Sequence, residues 1–139
     1  MFIDNREQAK DRLDDLTLEF LEKATKTVQS SAVSLVAVDS GHLKQSIDTM
    51  VDDAEFIGYV GTNTFYGIYL EFGTGEFAKN GGGRKGGWVY PDPEGKRDEN
   101  GRLKFYFTYG QRPQPYLLPA FRTNKSNIEA LLKSTFSQF

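Results

Sequence analysis

One apolar stripe runs along residues 5–36 and constrains most of what the chain can fold into. Leu13, Leu16, Phe20, Ala24, Val28, Ala32 and Leu35 recur at three- and four-residue steps, the spacing of one helix face. The remaining face carries Glu7, Lys10, Asp11, Asp14, Asp15, Glu22, Lys23 and Lys26. A long amphipathic helix must lay its stripe on something, and a sheet is the natural cover. The pattern allows one break, at Ser30-Ser31. Asp4 is placed as N-cap, with Glu7 three residues on as its capping-box partner. Leu18 and Leu21 lie off the stripe and are free for a second contact.

The rest of the chain reads as shorter elements. Asp39 or Ser40 caps a helix over 40–46 that turns Leu43 and Ile47 inward. Ile47, Thr49 and Val51 alternate, Asp52-Asp53-Ala54 makes a turn, and Phe56, Ile57, Tyr59 and Val60 return as a hairpin. Gly58 inside the second strand implies a bulge or a close backbone neighbour. Thr62 or Asn63 caps a helix over 64–72 with Phe65, Ile68, Tyr69 and Phe72 on its apolar side. Gly73 then ends it in the left-handed region. The glycine-rich tract 79–87 cannot build a core, so about 76–102 is expected to be a long mobile excursion. Within it, Trp88-Val89-Tyr90 can pair with 103–109 across the turn material of 91–96. Helical periodicity returns from about 117 to 136. Its candidate core contacts are Leu118, Phe121, Ile128, Leu131, Leu132 and Phe136, and Pro119 fits only in the first turn. No internal repeat is evident. The expected architecture is α+β in a single domain, 1–139. A small, mostly antiparallel sheet packs against the long N-terminal helix and a C-terminal helix.

Composition narrows the function classes. A chain of 139 residues buries roughly two-thirds of its unfolded surface, enough for a core without staples. There is no Cys, hence no disulfide, thiolate or zinc–cysteine chemistry. The N-terminal residues lack the features of a signal peptide, and no apolar run approaches the ~18 residues of a membrane span. The net charge of −2 hides an asymmetry. Residues 1–60 hold 6 Lys/Arg against 12 Asp/Glu, a net of −6, and residues 61–139 hold 11 against 7, a net of +4. Two solvated faces would explain this; so would stacking of copies, acidic face on basic face. Eleven Phe and seven Tyr exceed what so small a core needs, and aromatic side chains are favoured at protein interfaces.

Catalytic constellations are absent from the pattern. His42 has only Ser40 and Asp39 beside it, and sequence neighbours do not converge as a triad must. Glu71 sits in an aromatic helix but lacks the partner and pocket a general acid needs. It reads better as a buried or interface acid accepting hydrogen bonds from the Gly73-Thr74-Gly75 amides or from a neighbour's Arg. A small hydrolase built on Glu71 is the weakest reading. The tract 81–87 fails as a phosphate loop because no Lys-Ser/Thr and no helix follow it. With Lys79, Arg84, Lys85 and Trp88, and the aromatic strand 105–109, it could touch a nucleic-acid backbone or a protein partner. No catalytic, cofactor-binding or metal-binding residue is assigned.

Three segments follow one another along the chain: Asp39-Ser40-Gly41-His42-Leu43-Lys44-Gln45-Ser46-Ile47, then Tyr66-Gly67-Ile68-Tyr69-Leu70-Glu71-Phe72-Gly73-Thr74-Gly75, then Gln114-Pro115-Tyr116-Leu117-Leu118-Pro119-Ala120-Phe121. All look like devices for shaping a backbone and burying aromatic side chains. Their order resembles the neck, or head–tail joining and tail-completion, proteins of long-tailed bacteriophages and prophages, including the minor tail protein Z group. The likeness covers roughly 10–135. Gly41 and Leu43 fall in the first motif, with Ser40 where that family has Thr. Tyr66, Tyr69, Glu71, Phe72, Gly73 and Thr74 fall in the second, and Pro115, Tyr116 and Pro119 in the third.

The resemblance implies a non-enzymatic ring at the head–tail junction of the virion, assembled in the host cytoplasm. Its implied partners are other copies of itself, the head-closure and tail-terminator proteins, and DNA passing through the channel without specificity. The second motif is implied to determine the fold and to share in the subunit contact. An acidic channel face carrying Asp11, Asp14 and Asp15 would let DNA slide without sticking. A nucleic-acid-binding module is the alternative.

Overall fold

The computed structural model describes residues 3–36, 41–137 and 139. Its elements are α1 (Arg6–Leu35), α2 (Gly41–Ser46), β1 (Asp48–Asp52), β2 (Ile57–Gly61), α3 (Phe65–Phe72), β3 (Trp88–Pro91), β4 (Phe105–Thr108), α4 (Leu117–Thr123) and α5 (Lys125–Phe136). The class is α+β, but the strands form two separate two-stranded antiparallel sheets rather than one. They belong to two compact units, Met1–Thr64 with Tyr116–Phe139, and Phe65–Pro115.

The first unit is organised on α1. Leu16, Ala24, Thr25, Val28 and Ala32 are buried, so the apolar stripe is the packing face. The stripe overhangs at both ends. Leu13 and Leu35 are exposed, as are all of residues 6–13. The helix runs through Ser30-Ser31 without a break. At its start Asn5, not Asp4, holds the N-cap position, and no side chain caps it. The Asp4 carboxylate instead accepts the Arg6 backbone N–H at 3.0 Å and the Arg6 guanidinium, which holds that carboxyl below its ordinary value. No side chain caps this helix start, so no capping box forms between Asp4 and Glu7.

The β1–β2 hairpin lays Thr49, Val51 and Val60 toward α1 in the register Thr49↔Val60 and Val51↔Gly58. The turn spans 53–56, one step later than the pattern suggests. Asp52 Oδ1 accepts the Ala54 and Glu55 N–H groups. The ladder shows no bulge at Gly58. A Cβ there would stand 2.5 Å from Thr25 Cγ2, so glycine is required by the close approach of the helix. Gln29 Nε2 donates to the Ile47 carbonyl at 2.9 Å, and Ser46 Oγ lies 2.6 Å from Thr62 Oγ1, closing α2 against the hairpin ends. Leu43 and Ile47 are buried as expected. The proposed caps Asp39 and Ser40 lie outside the described residues.

The C-terminal segment is two helices, not one. They pack on α1 rather than on a sheet. The buried positions are Tyr116, Ala120, Asn124 and Thr135, with Ile128 and Leu131 half-buried. Leu118, Phe121 and Leu132, expected inside, are exposed. The break falls at Asn124, whose Nδ2 donates to Ser31 Oγ at 2.6 Å and to the Ala120 carbonyl at 2.8 Å. A buried amide bonding this way fixes the junction of three helices. Asn124→Ala should lower stability by about 1–3 kcal/mol, because it strips partners from a buried carbonyl. Urea unfolding followed by circular dichroism measures it, and an unchanged midpoint would contradict the assignment.

Candidate assembly interface

Helix α3 is the centre of the second motif. Thr62 Oγ1 accepts the Thr64 N–H just ahead of it, at 3.1 Å. The helix buries Gly67, Leu70 and Glu71. Its aromatic side, expected to be core, faces solvent: Phe65 is 84% exposed, Ile68 57%, Tyr69 51% and Phe72 54%. Tyr66 is exposed as well. The buried side is made of Gly67, Leu70 and Glu71, and the larger apolar residues lie outside it. Apolar side chains contiguous on one helical face are the signature of an interaction surface.

The turn that follows is locked by close backbone contact. Gly73 has φ +75° and ends α3 with its N–H on the Tyr69 carbonyl at 2.8 Å. The Thr74 N–H donates to the Gln111 carbonyl at 2.9 Å, and the Gln111 N–H donates to Thr74 Oγ1 at 2.8 Å. The Glu76 N–H donates to the Tyr109 carbonyl at 2.9 Å. A Cβ on Gly75, φ +60°, would lie 2.2 Å from the Tyr109 oxygen. The second motif and residues 109–111 are thus one backbone seam. The Gly73 and Thr74 amides thus donate to the backbone carbonyls of Tyr69 and Gln111. Glu71 is buried, and no buried side-chain polar atom among the described residues lacks a partner.

The glycine tract is anchored at several points. The Lys79 N–H reaches the Phe72 carbonyl at 2.9 Å, and the Gly86 N–H reaches Glu76 Oε1 at 3.2 Å. The Arg84 guanidinium lies 5.5 Å over the half-buried Trp88 ring, and Lys79 and Lys85 are exposed. Of the remaining motif residues, Gly41 opens α2 with open space around its Cα, and Leu43 is fully buried. Pro115 is half-buried, Tyr116 is fully buried at the N-cap of α4, and Pro119 sits in the first turn of that helix.

The β3–β4 hairpin pairs Trp88↔Thr108, Val89↔Phe107, Tyr90↔Tyr106 and Pro91↔Phe105. Pairing continues past the strands. The Asp92 N–H donates to Lys104, the Lys104 N–H to Lys96, and Arg97 bridges to Leu103. Two turns of one design build this extension. Asp92 Oδ1 accepts the N–H groups of Glu94 and Lys96, and Asp98 Oδ1 accepts those of Asn100 and Arg102. Gly95 and Gly101 supply the positive φ in each, at +70° and +77°. The sequence shows it as Asp-x-Glu/Asn-Gly-Lys/Arg at 92–96 and again at 98–102, a tandem repeat that the search for longer periods passes over.

Asp92 Oδ2 also accepts the Tyr106 hydroxyl, at 3.0 Å. Burial pushes the Asp92 carboxyl up, but the Lys96 amide, the Tyr106 hydroxyl and the Glu94 amide together hold it below its ordinary value. The hydrogen bond to Asp92, then burial, raise the Tyr106 phenol above 10.0. A lowered acid stabilises the fold above its unfolded pKa and loses that contribution as pH falls through the folded one, below about pH 4. A raised phenol contributes below about pH 10 and is lost above it. The turn at 92–96 should therefore loosen at both extremes. Asp92→Asn should bring the Tyr106 titration, read by ultraviolet absorbance, back toward an ordinary tyrosine. An unmoved titration would contradict the pairing.

Among the described residues, no group of three or more His, Asp, Glu or Cys converges as a metal site would require, and no helix is long and apolar enough to cross a membrane. The chain matches the family model HK97-gp10_like, described as "Bacteriophage HK97-gp10, putative tail-component", over residues 1–73. That span takes in the first motif and most of the second. No curated protein and no solved structure matches the chain.

Proposed function

This chain belongs to the HK97-gp10-like family of bacteriophage tail components, and on that premise we propose that it is a non-enzymatic structural protein of the head–tail junction, assembling as a ring that joins the tail tube to the head. The observation that carries the reading is the exposed face of α3. Four large side chains stand in solvent on a helix whose C-terminal end is hydrogen-bonded into the Gly73–Gly75 seam. A monomer gains nothing from that arrangement; a subunit contact does.

The ring's partners are further copies of the chain and the head-closure and tail-terminator proteins. The acidic side of α1, with Asp11 and Asp15 exposed, suits a channel wall along which DNA slides. The alternative of a nucleic-acid-binding loop has less behind it, because the Arg84 guanidinium already covers the Trp88 ring on which a base would stack.

Native mass across a concentration series tests the reading. A discrete multiple of the 15.7 kDa chain is expected, in solution or once partner proteins are added. A monomer under both conditions would overturn it.

A further inference from the structure

We propose that the outer side of the β1–β2 hairpin, with Phe56 leading at its tip, docks on the exposed side of α4 in a second copy of this chain. The inference rests on the oligomeric reading above and adds to it a contact made by the first unit alone.

The hairpin carries a side chain that its own turn does not call for. Phe56 closes the turn at φ +55°, the one non-glycine residue with positive φ among the described residues. That left-handed position suits Gly or Asn and strains a bulky side chain. Phe56 is nonetheless exposed. Strain held at an exposed aromatic points to a contact made outside the chain. The rest of the hairpin agrees. Its inner side, Thr49, Val51 and Val60, packs on α1. Strand alternation puts Met50, Ile57 and Tyr59 on the outer side, and all three are exposed.

Charge identifies the occupant. Asp48 and Asp52 share the outer side with Met50, and Asp53 and Glu55 stand exposed in the turn. Asp52 accepts two amides of that turn and keeps its charge. Residues 45–64 contain no Lys or Arg, so the hairpin supplies four acids and no base. The surface of α4 is the converse. Leu118, Phe121 and Arg122 fall at helical steps on its exposed side, and Lys125 follows, exposed, at the start of α5. Residues 116–128 contain no Asp or Glu. Asn124 ties this corner to Ser31, in a part of α1 that has no acid from 23 to 35. The ion pairs among the described residues are Asp4–Arg6, Lys10–Asp14, Glu19–Lys23 and Glu94–Lys96, and none of them draws on either surface. Each surface thus joins exposed apolar side chains to charge of one sign, and the two signs are opposite. Unlike surfaces meeting on successive copies make a heterologous contact, the type that closes into rings.

Charge reversal tests this, under whichever condition the wild-type chain associates, alone or with its partner proteins. Asp53→Lys with Glu55→Lys in the hairpin, or Arg122→Glu with Lys125→Glu on the α4 side, should each weaken self-association about a hundredfold by setting like charges together. An equimolar mixture of the two variants should associate again, as should one chain carrying both pairs. All four sites are exposed, so circular dichroism should show each variant folded. Phe56→Asn, which keeps a residue suited to the left-handed turn, should weaken association about tenfold or more while the chain stays folded. A further readout uses the absence of cysteine. Chains with Tyr59→Cys mixed with chains with Phe121→Cys should form disulfide-linked pairs of the two, in excess of either homodimer.

Oligomers indifferent to both reversals, with no such pairs, would overturn the docking and leave the ring reading standing. Association unchanged by Phe56→Asn would remove Phe56 from the contact and overturn the proposal as stated. A hairpin that cross-links to another virion protein, and never to this chain, would assign its outer side to that protein and overturn the docking. A wild-type chain that stays monomeric alone and with its partner proteins would overturn both readings.

Discussion

Gly75→Ala should unfold the second unit at denaturant concentrations where the parent is intact, at a cost of about 4 kcal/mol or more. Two terms combine. A Cβ at φ +60° costs about 1–2 kcal/mol by itself. It would also lie 2.2 Å from the Tyr109 carbonyl oxygen and 2.9 Å from Gly110 Cα, both backbone atoms. Neither can retreat without breaking the Glu76 to Tyr109 hydrogen bond and its neighbour from Thr74 to Gln111. Gly81 is the internal control. Its φ is +70°, but nothing lies within 4 Å of an added Cβ, so Gly81→Ala should cost only about 1–2 kcal/mol. Trp88, the one tryptophan, lies against Gly75 and reports the transition by fluorescence. Equal costs for the two substitutions would show that the seam is not what holds this unit.

The second large effect is on assembly rather than folding. Ile68→Asp combined with Phe72→Asp should leave unfolding nearly unchanged, within about 1 kcal/mol, because both side chains are more than half exposed. The yield of joined particles should fall by about a hundredfold or more, since buried apolar anchors at the centre of an interface are worth about 2 kcal/mol each. The corresponding pair on the other side, Leu70 and Glu71, would destabilise the monomer and so could not separate the two effects. Normal particle yield from the folded double variant would remove α3 from the contact.

Periodicity located the helices well but could not say which apolar side chains lie inside. The α1 stripe was legible because its polar side is fully charged, which leaves one side to bury. In α3 the contrast is weak. Gly67, Leu70 and Glu71 form the buried side, and an aromatic count alone favours Phe65, Ile68, Tyr69 and Phe72. An interface residue and a core residue share one chemistry, so sequence pattern assigns both to the core. The same confusion placed Leu118, Phe121 and Leu132 inside, where Ala120, Asn124 and Thr135 are. Asn124 shows a different limit. Its role depends on Ser31, 93 residues away, and no local signal marks that pairing. Gly58 and Gly73 were readable because a glycine in a strand or after a helix has few physical reasons to be there. The turn at 92–96 was readable too, but its repeat at 98–102, in the same Asp-x-x-Gly spacing, was missed because its period is shorter than structural repeats have.

Electron microscopy of particles from a phage whose copy of this gene is stopped early tests the central claim most directly. The account predicts DNA-filled heads and finished tails lying separate, with joining restored when the protein is supplied. Joined, infectious particles in normal numbers without it, or the loss of tails altogether, would contradict a role at the head–tail junction.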